Sequence, residues 1–202
     1  MIAEAERLGR DFFAHPTLEV ARALLGQRLV RLRDEYRLSG LISETEAYIG
    51  EEDQACHARA GRTPRTQIMY ASPGHAYVYF TYGIHWCLNF VTEREGFPAA
   101  VLIRGIAPVE GVEVMRARRG RPDSILANGP AKLTQALDID GRLNGLDICD
   151  PQALLFVEAA QPAPDEAVRR SPRVGMGDTP EPWRSIAWNF RWKYPQEIFP
   201  GG

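Results

Sequence analysis

Two runs of alternating, strand-prone residues constrain this chain more than anything else in it. The first is Leu38 to Tyr48, and the second is Ala76 to Val91, broken at Tyr82-Gly83. The second run is dense in β-branched and aromatic residues, and the glycine at its break accepts the positive φ that tight hairpins need. It therefore predicts a β-hairpin with Tyr82-Gly83 at the tip and Ile84 to Val91 as the returning strand. Side chains alternate between faces along a strand, so Tyr77, Tyr79 and Thr81 share one face, and Val78, Phe80 and Tyr82 the other. In the first run Leu41, Ser43, Thr45 and Ala47 fall on one face and Ile42, Glu44, Glu46 and Tyr48 on the opposite one. That spacing sets Glu46 and Tyr48 side by side.

Around these runs the chain alternates short helices and strands. A helix follows Pro16, with Leu18, Ala21, Leu24 and Leu25 as its apolar stripe and Gly26 closing it, and Gln27 to Leu32 reads as a strand. Gly50 to Arg59 holds a short helix with His57, and Gly61 to Thr66 is a basic turn. Ala99 to Ile106 predicts a buried strand ending near Arg104, Pro108 to Arg119 a helix, Gly129 to Leu137 another, and Ala153 to Ala159 a strand. Gln161 to Arg170 reads as a surface loop, and Pro172 to Trp192 as a region of short strands. No repeat or linker divides the chain. At 202 residues and 45% hydrophobic it suits one α+β domain spanning 1–202.

Composition narrows the function. Three cysteines, Cys56, Cys87 and Cys149, show no paired spacing, so neither a disulfide framework nor a metal site is expected. Met1 to Arg7 lacks the apolar core of a secretory leader and no run is long enough to span a bilayer, so a cytoplasmic location is expected. Of the 24 basic residues, all but Lys132 and Lys193 are arginine, whose planar fork suits phosphate, although the formal net charge is −2. A near-neutral chain can still bind nucleic acid where its positive charge is local.

The candidate chemistry sits in the two runs. A carboxylate at Glu46 kept from water by Tyr48 and His57 can take a proton from an attacking water, or stabilise positive charge on a sugar carbon. A glutamate at this spacing is more often just part of a solvated strand face. Tyr77 and Tyr79 fit ordinary cross-strand packing, and Tyr79 also fits stacking on a flat ligand. Tyr82 fits packing less well, because a large ring at a hairpin tip has little core to enter; there it suits a wedge between stacked bases. Arg62, Arg65, the run Arg116 to Arg121 and Lys132 are candidate phosphate contacts that also fit a solvated surface.

An ordered set of motifs resembles the alkyladenine (3-methyladenine) DNA glycosylase family in its bacterial form. It comprises Glu44-Thr45-Glu46-Ala47-Tyr48, Glu52-Asp53, Ala55-Cys56-His57, Arg62-Thr63-Pro64-Arg65, Pro73-Gly74, Tyr77-Val78-Tyr79, Tyr82-Gly83, Cys87 and Asn89. Leu102-Ile103-Arg104, Glu110-Gly111, Gly129-Pro130-Ala131-Lys132-Leu133 and Arg173-Val174-Gly175-Met176-Gly177 continue it. The segment Trp183 to Phe190 departs from the family's Pro-aliphatic-Arg-Phe run.

The resemblance implies a curved, mainly antiparallel sheet with short flanking helices and a protruding hairpin. It implies an enzyme that flips a damaged purine out of double-stranded DNA and hydrolyses its N-glycosidic bond, without a cofactor and as a monomer working at the nucleoid. Carried over by motif, Glu46 resembles the base that activates water, and Arg104 a residue that helps hold the site. Tyr48, His57 and Tyr79 resemble the walls of the base pocket, Asn89 a residue that clashes with the amino group of normal guanine, and Tyr82 the intercalating residue. Arg62, Thr63, Met69, Arg119 and Lys132 match positions at the DNA surface. Two rivals use the same residues: a non-catalytic nucleic-acid-binding module, and a hydrolase of free nucleosides. The first gains nothing from a carboxylate facing a polyanion, and the second needs no wedge.

Overall fold

The computed structural model describes residues 6–122 and 125–194; Met1 to Ala5, most of the stretch read for a leader, lie outside it. Twelve elements are used here: α1 (Arg10–Phe13), α2 (Thr17–Ala23), β1 (Arg28–Arg33), β2 (Tyr36–Ile49), β3 (Ala76–Thr81), β4 (His85–Val91), β5 (Ala99–Glu110), α3 (Val112–Arg119), α4 (Pro130–Ala136), β6 (Leu155–Glu158), β7 (Val168–Ser171) and β8 (Asn189–Trp192). The strands form one antiparallel sheet in the order β3-β4-β5-β2-β1-β6, with β8 paired to β2 and β7 to β8. This is the expected α+β domain.

The 14-residue β2 is the axis of the sheet. Its first half pairs with β1 and its Glu44–Glu46 segment pairs with β8, while β5 runs along its other edge. Midway, Ile42 pairs with Ile106, Glu44 with Gly105 and Thr45 with Ile103, so the ladder skips Ser43 on β2 and Arg104 on β5. An extra residue in a strand reverses which face its successors present. Ile42 therefore belongs to the main core together with Ala47, and Thr45 Oγ1 reaches back to the Ala21 carbonyl of α2 at 2.7 Å. Strict alternation put Ile42 with Glu44, Glu46 and Tyr48; the bulge separates them.

The main core packs Leu24 and Leu25, which follow α2, with Met115 of α3, Leu133 of α4 and the strand residues Leu29, Leu88, Val101, Ile103 and Leu155. Burying one such side chain contributes about 1.5–3 kcal/mol. A smaller cluster on the other side joins Cys56, Met69, Tyr70, Tyr77, Val91 and Ala100, with Tyr48 and Tyr79 packed on it. The segment between β2 and β3 supplies its cover through two 3-10 turns, His57–Ala60 and Gln67–Tyr70.

Three boundaries differ from the sequence expectation. The helix expected from Pro108 begins at Val112, because β5 continues through Pro108 to Glu110 and Pro108 sits beside a second shift in the β2–β5 ladder, where its missing N–H is tolerated. Gly111 makes the corner with φ +69°, where a Cβ would collide with Leu38. The loop expected at Gln161–Arg170 ends in β7, and of the short strands expected over Pro172–Trp192 only β8 forms among the described residues. Both strands are four residues long and owe their existence to pairing across the chain rather than to local propensity.

Candidate active site

A single row across the sheet assembles the polar centre. Ser171 pairs with Asn189, Asn189 with Glu46, Glu46 with Leu102, Leu102 with Asn89, and Asn89 with Tyr77. Directly opposed residues share a face. On that face lies a cavity of about 370 Å³, bordered by Tyr48, His57, Tyr77, Tyr79, Asn89 and Arg104, together with Pro130 and Val174-Gly175-Met176. Concave, mostly apolar clefts of a few hundred Å³ are the usual seats of small ligands.

Glu46 does not border the cavity itself. It is fully buried, directly behind three residues that do: Tyr48, Arg104 and Val174. Its Oε1 accepts from the Val174 backbone N–H at 2.7 Å and from Asn189 Nδ2 at 3.0 Å. Its Oε2 accepts from the Tyr48 hydroxyl at 2.9 Å and, loosely, from an Arg104 guanidinium nitrogen at 3.4 Å. Oε1 thus takes two short bonds and Oε2 one, and Arg104 lies 3.4 Å from each oxygen. Arg104 Nε also donates to Glu44 Oε1 at 2.9 Å. Burial lowers the pKa of Arg104, but the two carboxylates outweigh it and hold the guanidinium above its ordinary value.

The rings form a continuous wall. His57 meets Tyr79 edge-on at 4.6 Å between centroids, and Tyr77 lies 5.2 Å from Tyr79. The Tyr77 hydroxyl and His57 Nδ1 are 2.9 Å apart. Burial, with Arg65 and Arg59 nearby, pulls the His57 pKa down to about 4, so the imidazole is neutral at pH 7. Burial, then Glu46, push the Tyr48 hydroxyl well above its ordinary value, keeping it a donor. Asn89 is buried, its amide donating to the Tyr77 carbonyl at 2.9 Å.

An ion pair staples the far wall. Arg173 and Asp53 are both fully buried and joined by two bonds, one of 2.8 Å, while Arg173 also donates to the Ala47 carbonyl at 3.0 Å. The guanidinium lies between the rings of Tyr48 and Trp188, 4.7 and 5.1 Å from their centroids. Asp53 in turn accepts from the N–H groups of Ile49 and Ala55. This fixes residue 173, and hence the Val174 N–H that meets Glu46.

At the mouth, Tyr82 is 87% exposed, with Ile84 at 67% beside it. Tyr82 and Gly83 both have positive φ, and Ile84 N–H closes the turn onto the Thr81 carbonyl. A tyrosine in the left-handed region costs about 1 kcal/mol or more, strain that tends to mark function. Of the expected DNA-surface residues, Arg62 is exposed, over the Tyr70 ring at 5.5 Å. Thr63 is tied to Thr66, Arg119 to Gln135 and the Leu126 carbonyl, and Lys132 to Asn128 at 2.8 Å. Met69 is only 2% exposed and borders the cavity, so its side chain lies inside and not on the outer surface where the motif match put it.

Four contributors escaped the sequence reading: Tyr77 as a pocket wall, the Val174 N–H, the Asp53–Arg173 pair, and Asn189. Asp53 and Arg173-Val174 lay within matched motifs, which was the available signal for them. Asn189 lay within the divergent tail, and its partner Glu46 is 143 positions away. Among the described residues no group of three or more His, Cys, Asp or Glu could hold a metal ion, and no helix is long and apolar enough to cross a membrane.

Comparison with known proteins identifies the family. Residues 11–195 match the family model described as methylpurine-DNA glycosylase (MPG). The chain is 50% identical over 183 residues to a Methanocella arvoryzae protein, covering 88% of this chain and 90% of that one. It is 46% identical to a protein of Chlorobaculum parvum (90% and 87% covered) and 45% identical to one of Streptomyces avermitilis (91% and 90%). All three bear the name "Putative 3-methyladenine DNA glycosylase". With a family model spanning nearly all of it and relatives this similar over most of their length, the chain belongs to the methylpurine-DNA glycosylase family of DNA-repair enzymes.

Proposed function

We propose that this protein removes methylated purines, 3-methyladenine and 7-methylguanine foremost, from duplex DNA by hydrolysing the N-glycosidic bond, with Glu46 as the general base. The observation that carries the reading is the fully buried Glu46 carboxylate, bonded to a tyrosine of an aromatic cavity. Tyr82 fills the space that the flipped nucleotide leaves in the duplex, and the base seats against Tyr48, His57 and Tyr79. A water admitted beside Arg104 gives its proton to Glu46 Oε2 and its oxygen to the sugar C1′, while the C1′–N bond breaks and its electron pair leaves with the base. Arg104, bridging Glu44 and Glu46, holds the carboxylate in place.

Methylated purines of this kind are cationic, which makes them good leaving groups and good partners for tyrosine faces. A neutral His57 adds no like charge against them. Asn89, pinned by its bond to Tyr77, places a fixed polar group against the seated base and disfavours the amino group of normal guanine. Hypoxanthine and ethenoadenine, being neutral, require a proton on the leaving base and are slower substrates. Strand cleavage by a lyase step needs an amine. Neither lysine borders the cavity, so the product is an abasic site in an intact strand.

The test is incubation with duplexes carrying one methylated purine, the released base being identified by mass. Glu46→Gln should slow release by about 10²–10⁴-fold, the usual worth of a positioned base, while still binding lesion DNA. Binding without any release by the unmutated protein favours the binding-module reading instead. Nicking trapped by borohydride removes the claim about the intact strand.

A further inference from the structure

Glu44 and Glu46 project from the same stretch of β2, two residues apart, and both are buried, at 5% and 0% exposure. Two carboxylates sharing a dry site tend to hold a proton between them, because their mutual repulsion is weakly screened. Glu44 shows how this one is managed. Burial raises its pKa, but Asn189, Arg191 and Arg104 outweigh that and hold it below the usual carboxylate range. Arg191 reaches Glu44 Oε2 at 2.7 Å from the solvent side.

Asn189 is the member of this network that touches both acids. One nitrogen, Nδ2, donates to Glu44 Oε1 at 2.8 Å and to Glu46 Oε1 at 3.0 Å, using both its hydrogens. Carboxylate oxygens only accept, so the amide has one workable orientation, with Ser171 Oγ 3.3 Å from Oδ1 at its other end and equally near the Pro172 carbonyl. The ladder sets the amide directly opposite Glu46 on one side and Ser171 on the other. With the Val174 N–H, this bond gives Glu46 Oε1 two short donors, against one at Oε2, the Tyr48 hydroxyl.

We infer that Asn189 is a positioning residue of the glycosylase reaction: its amide bridges Glu44 and Glu46, turns Oε1 of Glu46 away from the nucleophile and presents Oε2 to the water. The inference rests on the proposed role of Glu46. It places a role in reaction chemistry within Trp183 to Phe190, the segment that lacks the family's Pro-aliphatic-Arg-Phe run. The charged and titratable groups facing the pair are Arg104 from β5, Arg191 from β8, Tyr48 from β2 itself and Cys87 from β4, with Tyr79 from β3 and Arg173 from the loop before β8 acting on Tyr48. None of them spans both acids as a neutral donor.

Asn189→Asp keeps shape and volume but replaces the donor with a third acid. Single-turnover base release should fall about 10–100-fold near neutral pH, the scale seen for outer partners of reacting groups. The acidic limb of its pH–rate profile should move upward by at least about one pH unit, because the cluster then takes up a proton more readily. Affinity for lesion duplex should stay within about threefold of the parent. Asn189→Ala should slow release with a smaller displacement of the limb. A uniform slowing at every pH, or a loss of lesion binding that matches the loss of rate, would overturn the inference and leave Asn189 a purely structural residue. Carboxyl 13C titration of Glu44 and Glu46 in the free protein supplies a readout independent of activity and of any unfolding that melting curves reveal. Unchanged titration in Asn189→Asp overturns the inference even if the parent proves inactive, whereas a changed titration with an inactive parent upholds the bridge and sinks the proposed function.

Discussion

The layer around Glu46 and the tip of the β3–β4 hairpin are organised in opposite ways. In the layer, Glu46 accepts from four donors that come from four different parts of the chain. Arg173 is sandwiched between two rings and doubly bonded to Asp53. At the tip, Tyr82 and Ile84 extend into solvent on a turn closed by one backbone bond. The difference teaches where each kind of function can live. Proton handling needs a group held within tenths of an ångström in a dry place, which only an over-determined layer provides. Entering a duplex needs a protruding side chain whose surroundings make few demands on it. Substitutions in the layer should therefore alter stability and chemistry together, and substitutions at the tip should alter binding alone.

The largest stability effect expected is that of Arg173→Met. Removing one partner of a buried pair leaves the other charge uncompensated, at a cost of about 3–5 kcal/mol. Urea unfolding should show that loss. The double variant Arg173→Met/Asp53→Asn should recover about half of it, since the orphaned charge is then gone and one of residue 53's two backbone donors, which bind different carboxylate oxygens, keeps a carbonyl acceptor. A loss below about 1 kcal/mol would mean that the layer is no more constrained than the tip.

His57 sharpens the comparison through pH. Its folded pKa of about 4 lies below the unfolded value of about 6.5. Between those values the unfolded chain binds a proton that the folded chain refuses, so stability falls as pH drops from about 6.5 to 4 and is level with respect to this group above that window. The full effect is about 3 kcal/mol at most. Subtracting the His57→Gln curve from the parent's cancels the carboxylates common to both, and the difference should slope only in this window. A flat difference would place His57 in water.

Tyr82→Ala should leave unfolding within about 0.5 kcal/mol of the parent, as surface changes usually do. Lesion-duplex binding should weaken by about 1–3 kcal/mol, the scale of one aromatic stack on a base. Comparable losses in both measurements would erase the distinction between tip and layer.

How much of this was legible beforehand follows the same division. The hairpin, its tip and the Glu46–Tyr48 adjacency were readable because each depends on neighbours in sequence: a glycine at the turn, and a two-residue spacing. The Ile42 face was misjudged because a bulge skipping Ser43 leaves no local mark, and the Pro108 helix start because strand pairing overrode the proline. Asn189 was unreadable for a deeper reason. β8 is four residues long and exists only where β2 and β7 offer it edges, so its contribution to the site is set by tertiary pairing alone. Met69 shows the reverse limit: a motif match located the residue but not the direction of its side chain.

The smallest effect separates two arginines of the outer surface. Arg62 is exposed over the Tyr70 ring, whereas the Arg119 guanidinium already donates to the Leu126 carbonyl and to Gln135. A phosphate reaching Arg119 must replace bonds that exist, so the net gain there is small; at Arg62 it displaces mainly water. Each phosphate contact contributes about 0.9 to the slope of log affinity against log salt. Arg62→Ala should therefore reduce that slope by about one and weaken binding equally for damaged and undamaged duplexes, while Arg119→Ala should change the slope by much less. Arg119→Ala should instead lower stability, because its bonds join the end of α3 to α4. Were the two slopes reduced equally, the internal bonds of Arg119 would have to yield to DNA without cost, and the layer's logic of pre-committed side chains would stop short of this surface.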